Sequence, residues 1–343
     1  MKYQEEAIMK KRNIVPKLAA AALLLCAGLA AFAQDERYSQ IPDGAALVMN
    51  LNLENLYSSP TFKAIADSGE VLGIRNDLKG IPWNKAGTLP NPVIVYAPRM
   101  GESYAMLVGT DKTPDELVSD ITARYKKQKW SAEPGKVGIG QMITVREPHR
   151  NRKTNQQEMR VAGEVLYLTP NTVAYGRKKH PLDLAFFATD PLPATEFELL
   201  QNAPADAITV GVLRSFPIPA ADDPTGLSAL VKSGDFIVRE YEPGAASLVL
   251  NIECKGEKEA QLAVRRVKSF IKITLVSLFS LDKDLFKELN SSYTATATGS
   301  KAKIEVKLPK ATLDRVRAYY LMEQALVDAA GTAVNIIGAA VKK

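Results

Sequence analysis

Histidine and cysteine are nearly absent from this chain, with two of each in 343 residues. That scarcity removes most transition-metal chemistry, because neither His149 nor His180 has a second His, a Cys or paired carboxylates at ligand spacing. Cys26 lies in an apolar N-terminal run and Cys254 in the strand-like SLVLNIEC. Once that run is removed a single thiol remains, so no intramolecular disulfide can form and stability has to come from packing. Cys254 reads as a small buried hydrophobe rather than a nucleophile. Nucleotide and nucleophile motifs are missing as well. Gly101-Glu102-Ser103-Tyr104-Ala105 lacks the last glycine of a nucleophile elbow and lies between two strand-like runs. Gly135 to Gly140 has neither dinucleotide nor P-loop spacing and reads as a flexible connection. The adjacent acids Asp115-Glu116 and Asp222-Asp223 suit helix starts and turns, whereas a glycosidase pair must flank a bond from opposite sides. No cofactor, no metal and no catalytic residue are assigned.

No apolar run reaches the ~20 residues that a bilayer span needs. What is present instead is an export signal. Lys10, Lys11, Arg12 and Lys17 form a positive region, Leu18 to Ala30 an apolar segment, and Ala31-Phe32-Ala33 a small-residue site, so cleavage after Ala33 is expected. Met9 would open such a signal more normally than Met1. Lipid attachment at Cys26 is the weaker variant, because Leu25 before it fits badly. Loss of residues 1–33 removes five basic and two acidic side chains and lowers the formal charge from +6 to +3. The expected location is the periplasm or cell envelope of a bacterium.

Periodicity along the remainder gives an α+β chain in two similar halves, 34–195 and 196–328, followed by an apolar tail, 329–343. In the first half Ala45 to Leu51 reads as a strand and Glu54 to Ala66 as a helix broken near Pro60. Gly69 to Pro92 reads as a loop pinned by Ile81-Pro82-Trp83. Val93 to Ala97 and Tyr104 to Gly109 form a hairpin. A helix follows, with Thr113 as its cap, Pro114 at its first position and Asp115 and Glu116 at its positive end. Short strands at 142–146, 159–162, 165–168 and 172–175 come next, then a short helix over Leu182 to Phe187. The second half repeats the order: a strand over 208–213, a short helix near Gly226 to Val231, and a hairpin of 236–241 with 246–254. A long helix over Glu257 to Leu281 and a strand pair turning at Gly299-Ser300 complete it. The shared order predicts two related domains, each with helices packed on a mainly antiparallel sheet.

The opening Tyr38-Ser39-Gln40-Ile41-Pro42-Asp43-Gly44-Ala45-Ala46-Leu47-Val48-Met49-Asn50-Leu51, followed by Leu56 and a broken helix, resembles exported bacterial proteins of unknown function. Those proteins open on an Ile-Pro-x-x-Ala strand and carry a duplicated α+β domain. The resemblance implies an envelope location and duplication, and it brings no chemistry.

The charge distribution supplies the one site candidate. Between Ile121 and His180 thirteen basic residues face four acids. Lys126, Lys127, Lys129, Arg146, Arg150, Arg152, Lys153, Arg177, Lys178 and Lys179 would form an anion-binding rim if the helix end and two loops that carry them, one of them Glu147 to Lys153, lie together. Tyr125, Trp130 and Tyr175 are close to them in sequence. Two apolar segments stand out besides. Val267 to Leu281 is apolar nearly all round and reads as core, and Ala311 to Asp328 reads as a helix leading into the tail. The leading expectation is a non-enzymatic envelope binding or scaffolding module. Its rivals are a hydrolase of unfamiliar type built around His149 or His180, and a peripheral membrane-surface or polyanion-binding protein. The partner is undefined, either an envelope protein or an anionic surface; nucleic acid is disfavoured for an exported chain with no recognition motif.

Overall fold

The computed structural model describes residues 36–318 except 64–68, 87, 89–90, 92, 98–103, 138–139, 152–154, 178–181, 183–191, 193–196, 217–222, 224, 280–281 and 317. The export signal, the C-terminal tail, Ser103, His180 and all but Leu182 of the short helix expected at 182–187 lie outside the described residues. The fold is α+β, with one open sheet of twelve antiparallel strands.

In chain order the strands are β1 (Leu47–Leu51), β2 (Val93–Ala97), β3 (Ala105–Gly109), β4 (Ser131–Val137), β5 (Gly140–Arg150) and β6 (Gln157–Thr169). They continue with β7 (Thr172–Arg177), β8 (Ala207–Leu213), β9 (Val231–Glu242), β10 (Ala245–Cys254), β11 (Tyr293–Thr298) and β12 (Lys301–Leu308). The helices are α1 (Leu53–Ser58), α2 (Gly69–Gly80), α3 (Pro114–Arg124), α4 (Glu198–Gln201), α5 (Glu257–Phe279) and α6 (Lys283–Ser291). Across the sheet the strands run β11-β12-β10-β9-β8-β1-β2-β3-β7-β6-β5-β4. The two halves of the sequence therefore occupy the two sides of one sheet, and they meet where β1 pairs with β8, from Leu47↔Leu213 to Leu51↔Thr209.

The strands nearest the meeting line are buried on both faces, which explains why β1, β2 and β8 read as unbroken apolar runs rather than alternating ones. One face carries Leu47, Met49, Leu51, Val93, Val95, Phe236 and Val238 under α1, α2 and α3. The other carries Val48, Ile94, Tyr96 and Val210 under Tyr38, Ile41, Phe197 and Leu200. Gly211 leaves room for Phe236, whose ring lies where a Cβ would stand. At the far side α5 packs through Ala260, Ala263 and Val264 on Ile252, Cys254, Ala302 and Ile304. Cys254 is buried as expected, and burial pushes its thiol pKa up.

Buried polar groups at the meeting line are bonded across it, apart from the Asn50 side-chain oxygen, which has no partner among the described residues. The Asn50 amide nitrogen donates to the Leu200 carbonyl (2.9 Å) and to the Tyr38 hydroxyl, and the Thr209 hydroxyl donates to the Asn50 carbonyl (3.1 Å). Asn55 donates to the Ala205 and Ala207 carbonyls and so ties α1 to the start of β8.

Three segments around the core and the sheet edge differ from the expectation, besides Glu147 to Arg150. Gly69 to Gly80 is a helix where a loop was expected. Its glycines lower intrinsic propensity, but Ile74 and Leu78, one turn apart, are buried in the core, and Trp83 folds back to donate from its indole nitrogen to the Leu78 carbonyl (2.7 Å). That bond satisfies one of the last carbonyls, which have no partner within the helix. In the expected flexible connection 135–140, residues 135–137 and Gly140 are strand, with Val137 paired to Gly140. Pro134 sits in β4 at the edge of the sheet, where a strand proline is tolerated. The third segment is the later part of α5. Ile273 and Val276 are 66% and 47% exposed, so that stretch is not wholly core. Elsewhere the expected local chemistry is present: Thr113 and Glu116 form a capping box at α3.

Two outcomes follow from these contacts. Asn50→Ala leaves the Leu200 carbonyl and the Tyr38 hydroxyl buried without that donor and should cost about 1–3 kcal/mol of unfolding free energy in a denaturant titration. Asp235, on β9, is governed first by burial, which raises its carboxyl pKa although the Asn251 amide donates to it at 2.6 Å. A raised folded-state pKa means that the native state carries the cost of ionisation above that pKa, and that the cost vanishes as pH falls below the unfolded value. Asp235→Asn should therefore raise the melting temperature at pH 7 and leave it unchanged at pH 3.

Candidate ligand-binding site

The strand register decides which basic residues meet. Ser131 at the start of β4 pairs with Arg146, Arg150 pairs with Gln157 at the start of β6, and Gly163 pairs with Arg177 at the end of β7. Lys126, Lys127 and Lys129, just ahead of β4, therefore share one end of the sheet with Arg146, Arg150 and Arg177. Arg152, Lys153, Lys178 and Lys179 lie outside the described residues. Glu147 to Arg150, expected in a loop, belong to β5.

Strand alternation divides this group between two faces. Arg146 and Arg150 project to the side away from α2 and α3, and the Arg146 Nε donates to Glu133 at 3.0 Å. Glu147, His149 and Arg177 belong to the helix-covered side, where the Arg160 Nε donates to Glu147 at 2.9 Å. Each of these pairs removes a positive charge from the tally made on sequence alone. His149 stands opposite Glu158 in the ladder. Among the described residues no group of three or more His, Cys, Asp or Glu side chains is placed to hold a metal.

Lys126, Lys127 and Lys129 are exposed, and among the described residues no carboxylate lies within ion-pair distance of them. Their loop is held rigid by its flanks. After α3 the chain makes a single turn at Lys126–Gln128, Lys129 takes a left-handed conformation (φ 58°), and Trp130 stacks on Tyr125 with ring centroids 4.4 Å apart. The Tyr125 carbonyl accepts from Gln128 and Trp130. The stack closes the loop and presents the lysines outward.

Behind that stack lies a pocket of about 230 Å³ lined by Asn76, Gly80, Ile81, Tyr125, Trp130, Val145, Glu147, Ala162, Gly163, Tyr175 and Arg177. Three local features form it. A bulge in β6, where Val145↔Gly163 is followed by Arg146↔Val161, turns both Ala162 and Gly163 toward it, although neighbours in an uninterrupted strand point to opposite faces. Gly163 leaves space that the Tyr175 ring occupies; a Cβ there would stand 2.7 Å from that ring and 3.3 Å from the Gly176 carbonyl. Trp83 meets Tyr175 edge-on, 5.1 Å between centroids, and carries the end of α2 to the pocket's rim.

Arg177 is the charged group of the pocket. It is only 7% exposed and donates from one guanidinium nitrogen to the Tyr104 hydroxyl at 2.6 Å. A buried guanidinium with several donors in a fixed fork recognises planar anions well. Sequence reasoning counted Arg177 among the rim cations, whereas the fold withdraws it into the wall. Asn76, Gly80, Ala162 and Gly163 were missed. The Ile74/Leu78 spacing is the signal that would have placed the first two; the bulge left none.

Comparison with protein-family models, curated proteins and solved structures found no match. The site is thus read from its own geometry. Gly163→Ala should force Tyr175 against Trp83 and cost about 1–3 kcal/mol by overpacking, with a change in tryptophan fluorescence; unchanged stability and fluorescence would show that Tyr175 has room to move.

Proposed function

We propose that the chain is an exported, non-enzymatic binding module of the bacterial cell envelope, and that it engages an anionic partner through the end of the sheet that carries Lys126, Lys127 and Lys129. The observation that carries this reading is the aromatic bracket of Tyr125 and Trp130, which encloses three exposed lysines in sequence and itself lines a pocket walled by a buried arginine. Fixed like charges on a rigid loop raise the local concentration of an anion and lose little side-chain freedom when it arrives.

Three of the groups whose acidity the fold alters lie at helix starts or in the core. Glu116 is held low first by the Thr113 backbone in the capping box, and Asp282 first by the Leu285 amide at the start of α6. Tyr167 is pushed up to about 12 by burial. These are explained by helix starts and core packing, and they stand apart from the pocket. Export rests on the N-terminal signal pattern.

We also infer that the two halves are related domains. On each side of the β1/β8 line come a hairpin, β2-β3 or β9-β10, then a helix, α3 or α5, and the last strand of the half returns beside the hairpin, β7 next to β3 and β12 next to β10. A membrane surface is a second reading, favoured by the exposure of Ile273 and Val276 beside the exposed Lys272. Among the described residues no helix is long and apolar enough to cross a membrane.

Replacement of Lys126, Lys127 and Lys129 by glutamine should weaken retention on a polyanion resin by about a hundredfold at low salt, at about 1 kcal/mol per basic residue near an anionic surface. Added salt should shrink the difference. Unaltered retention would refute the proposed end of the sheet, and binding to anionic vesicles that Ile273→Ser abolishes would favour the membrane reading instead.

A further inference from the structure

We propose that β11 is the contact of a dimer, in which this edge of the sheet pairs antiparallel with β11 of a second copy of the chain. Among the described residues β11 is the last strand on its side of the sheet. Its sequence, Tyr293-Thr294-Ala295-Thr296-Ala297-Thr298, has no charge, no proline and no break in register against β12. Proteins protect an edge strand with such devices, and the opposite edge has two of them, since β4 carries Pro134 and the charged Glu133 and Lys136. An unprotected row of backbone donors and acceptors is a template for another strand.

The β11-β12 hairpin fixes which groups are available. Gly299-Ser300 is a two-residue turn with Gly299 at φ 56°, so Thr298↔Lys301 beside it is a hydrogen-bonded pair, and by alternation so are Thr296↔Lys303 and Thr294↔Glu305. The bond from the Lys307 amide to the Ser292 carbonyl, 2.9 Å, continues that order. The amides and carbonyls of Tyr293, Ala295 and Ala297 therefore point outward, and among the described residues no hydrogen bond reaches them. A two-fold axis at Ala295 uses all of them. Ala295 then faces Ala295 of the second copy, and Tyr293 faces its Ala297, each such pair exchanging two hydrogen bonds. Ala295 and Ala297 pack toward α5, whereas Thr294 and Thr296 are exposed on the other face. There they meet Thr296 and Thr294 of the second copy, and threonine pairs of this kind favour association. An uncharged strand also meets its own copy without repulsion. The nearest lysines, Lys301, Lys303 and Lys307, stand one strand in. Those of the two copies are thus three strand spacings apart, about 14 Å, which exceeds the Debye length of about 8 Å at physiological salt. The strand order leaves a lysine loop at each outer end of the dimer.

The test is analytical ultracentrifugation of the full chain over a concentration series. A reversible dimer of micromolar affinity is expected, because the contact is small. Thr294→Lys combined with Thr296→Lys sets lysine against lysine across the axis and should weaken dimerisation by at least about tenfold. Both positions are exposed, so the hairpin keeps its packing. Thr294→Glu combined with Thr296→Glu should weaken it similarly. An equimolar mixture of the two variants should associate as tightly as the wild type, because each lysine then stands opposite a glutamate. Monomers in that mixture, or a lysine variant that dimerises as the wild type does, would overturn the pairing. A wild-type chain that stays monomeric at every concentration would overturn it as well, and slow hydrogen exchange at the Ala295 and Ala297 amides of that monomer would assign the edge to another segment of the same chain.

Discussion

The antiparallel pairing of β1 with β8 is the constraint on which the rest of the fold depends. Each of these strands is apolar along nearly its whole length and buried on both faces. Separated, each would be an edge strand with unpaired backbone groups and two apolar faces, the arrangement most prone to pairing with other chains. Joined, they become the middle of a sheet, and the layers that cover them draw on both halves of the sequence. Phe197 and Leu200, from the start of the second half, cover β1 and β2, while Tyr38 from the first half stacks on Phe197. Asn50 and Thr209 then set the register, because a slip by one residue would bury their polar groups away from Leu200 and from each other.

Fixing the centre in this way leaves the outer strands free to lengthen, and there the candidate site forms. β5 and β6 extend beyond the helical layer, so their ends meet solvent and carry charge. The pocket arises where that layer ends: α2 stops at Gly80, Trp83 returns to cap it, and the bulge in β6 turns an extra residue inward. Arg177 is drawn into this corner because its neighbours on β7, Val173 and Tyr175, belong to the same face and are packed in the core.

Much of the local structure was legible in the sequence. The unbroken apolar runs of β1 and β8, the two hairpins, the capping box at Thr113, the buried Cys254 and the anchoring role of Trp83 all follow from short-range chemistry. What escaped depends on distant contacts. Gly69 to Gly80 has glycines at both ends and one inside, and it is a helix because Ile74 and Leu78 find a core to enter. Gly135 and Gly140 read as breakers, yet β5 provides a ladder to which β4 and its proline can hold. The basic excess counted along the chain was divided by strand alternation, which has a period of two and places Arg146 and Glu147 on opposite faces. That one sheet serves both halves had no short-range signal at all, because pairing between strands some 160 residues apart leaves no local pattern.

The topology also bears on which strands form the pocket. On the duplicated reading β6-β7 corresponds to β11-β12, each the final described hairpin of its half, and among the described residues β4-β5 has no counterpart beyond β11. Val145 and Glu147 come from β5, and Trp130 from the turn that leads into β4, so the pocket draws on strands that have no counterpart among the described residues of the second half. At the corresponding place the second half has α5 running on past its packed first turns, with Ile273 and Val276 exposed. The sheet thus ends differently on its two sides, in a polar corner with a buried arginine on one and an apolar helix surface on the other. The two ends differ in chemistry, so a symmetrical role for the halves is the less economical interpretation. The hairpin β4-β5 is the element that distinguishes the side with the pocket.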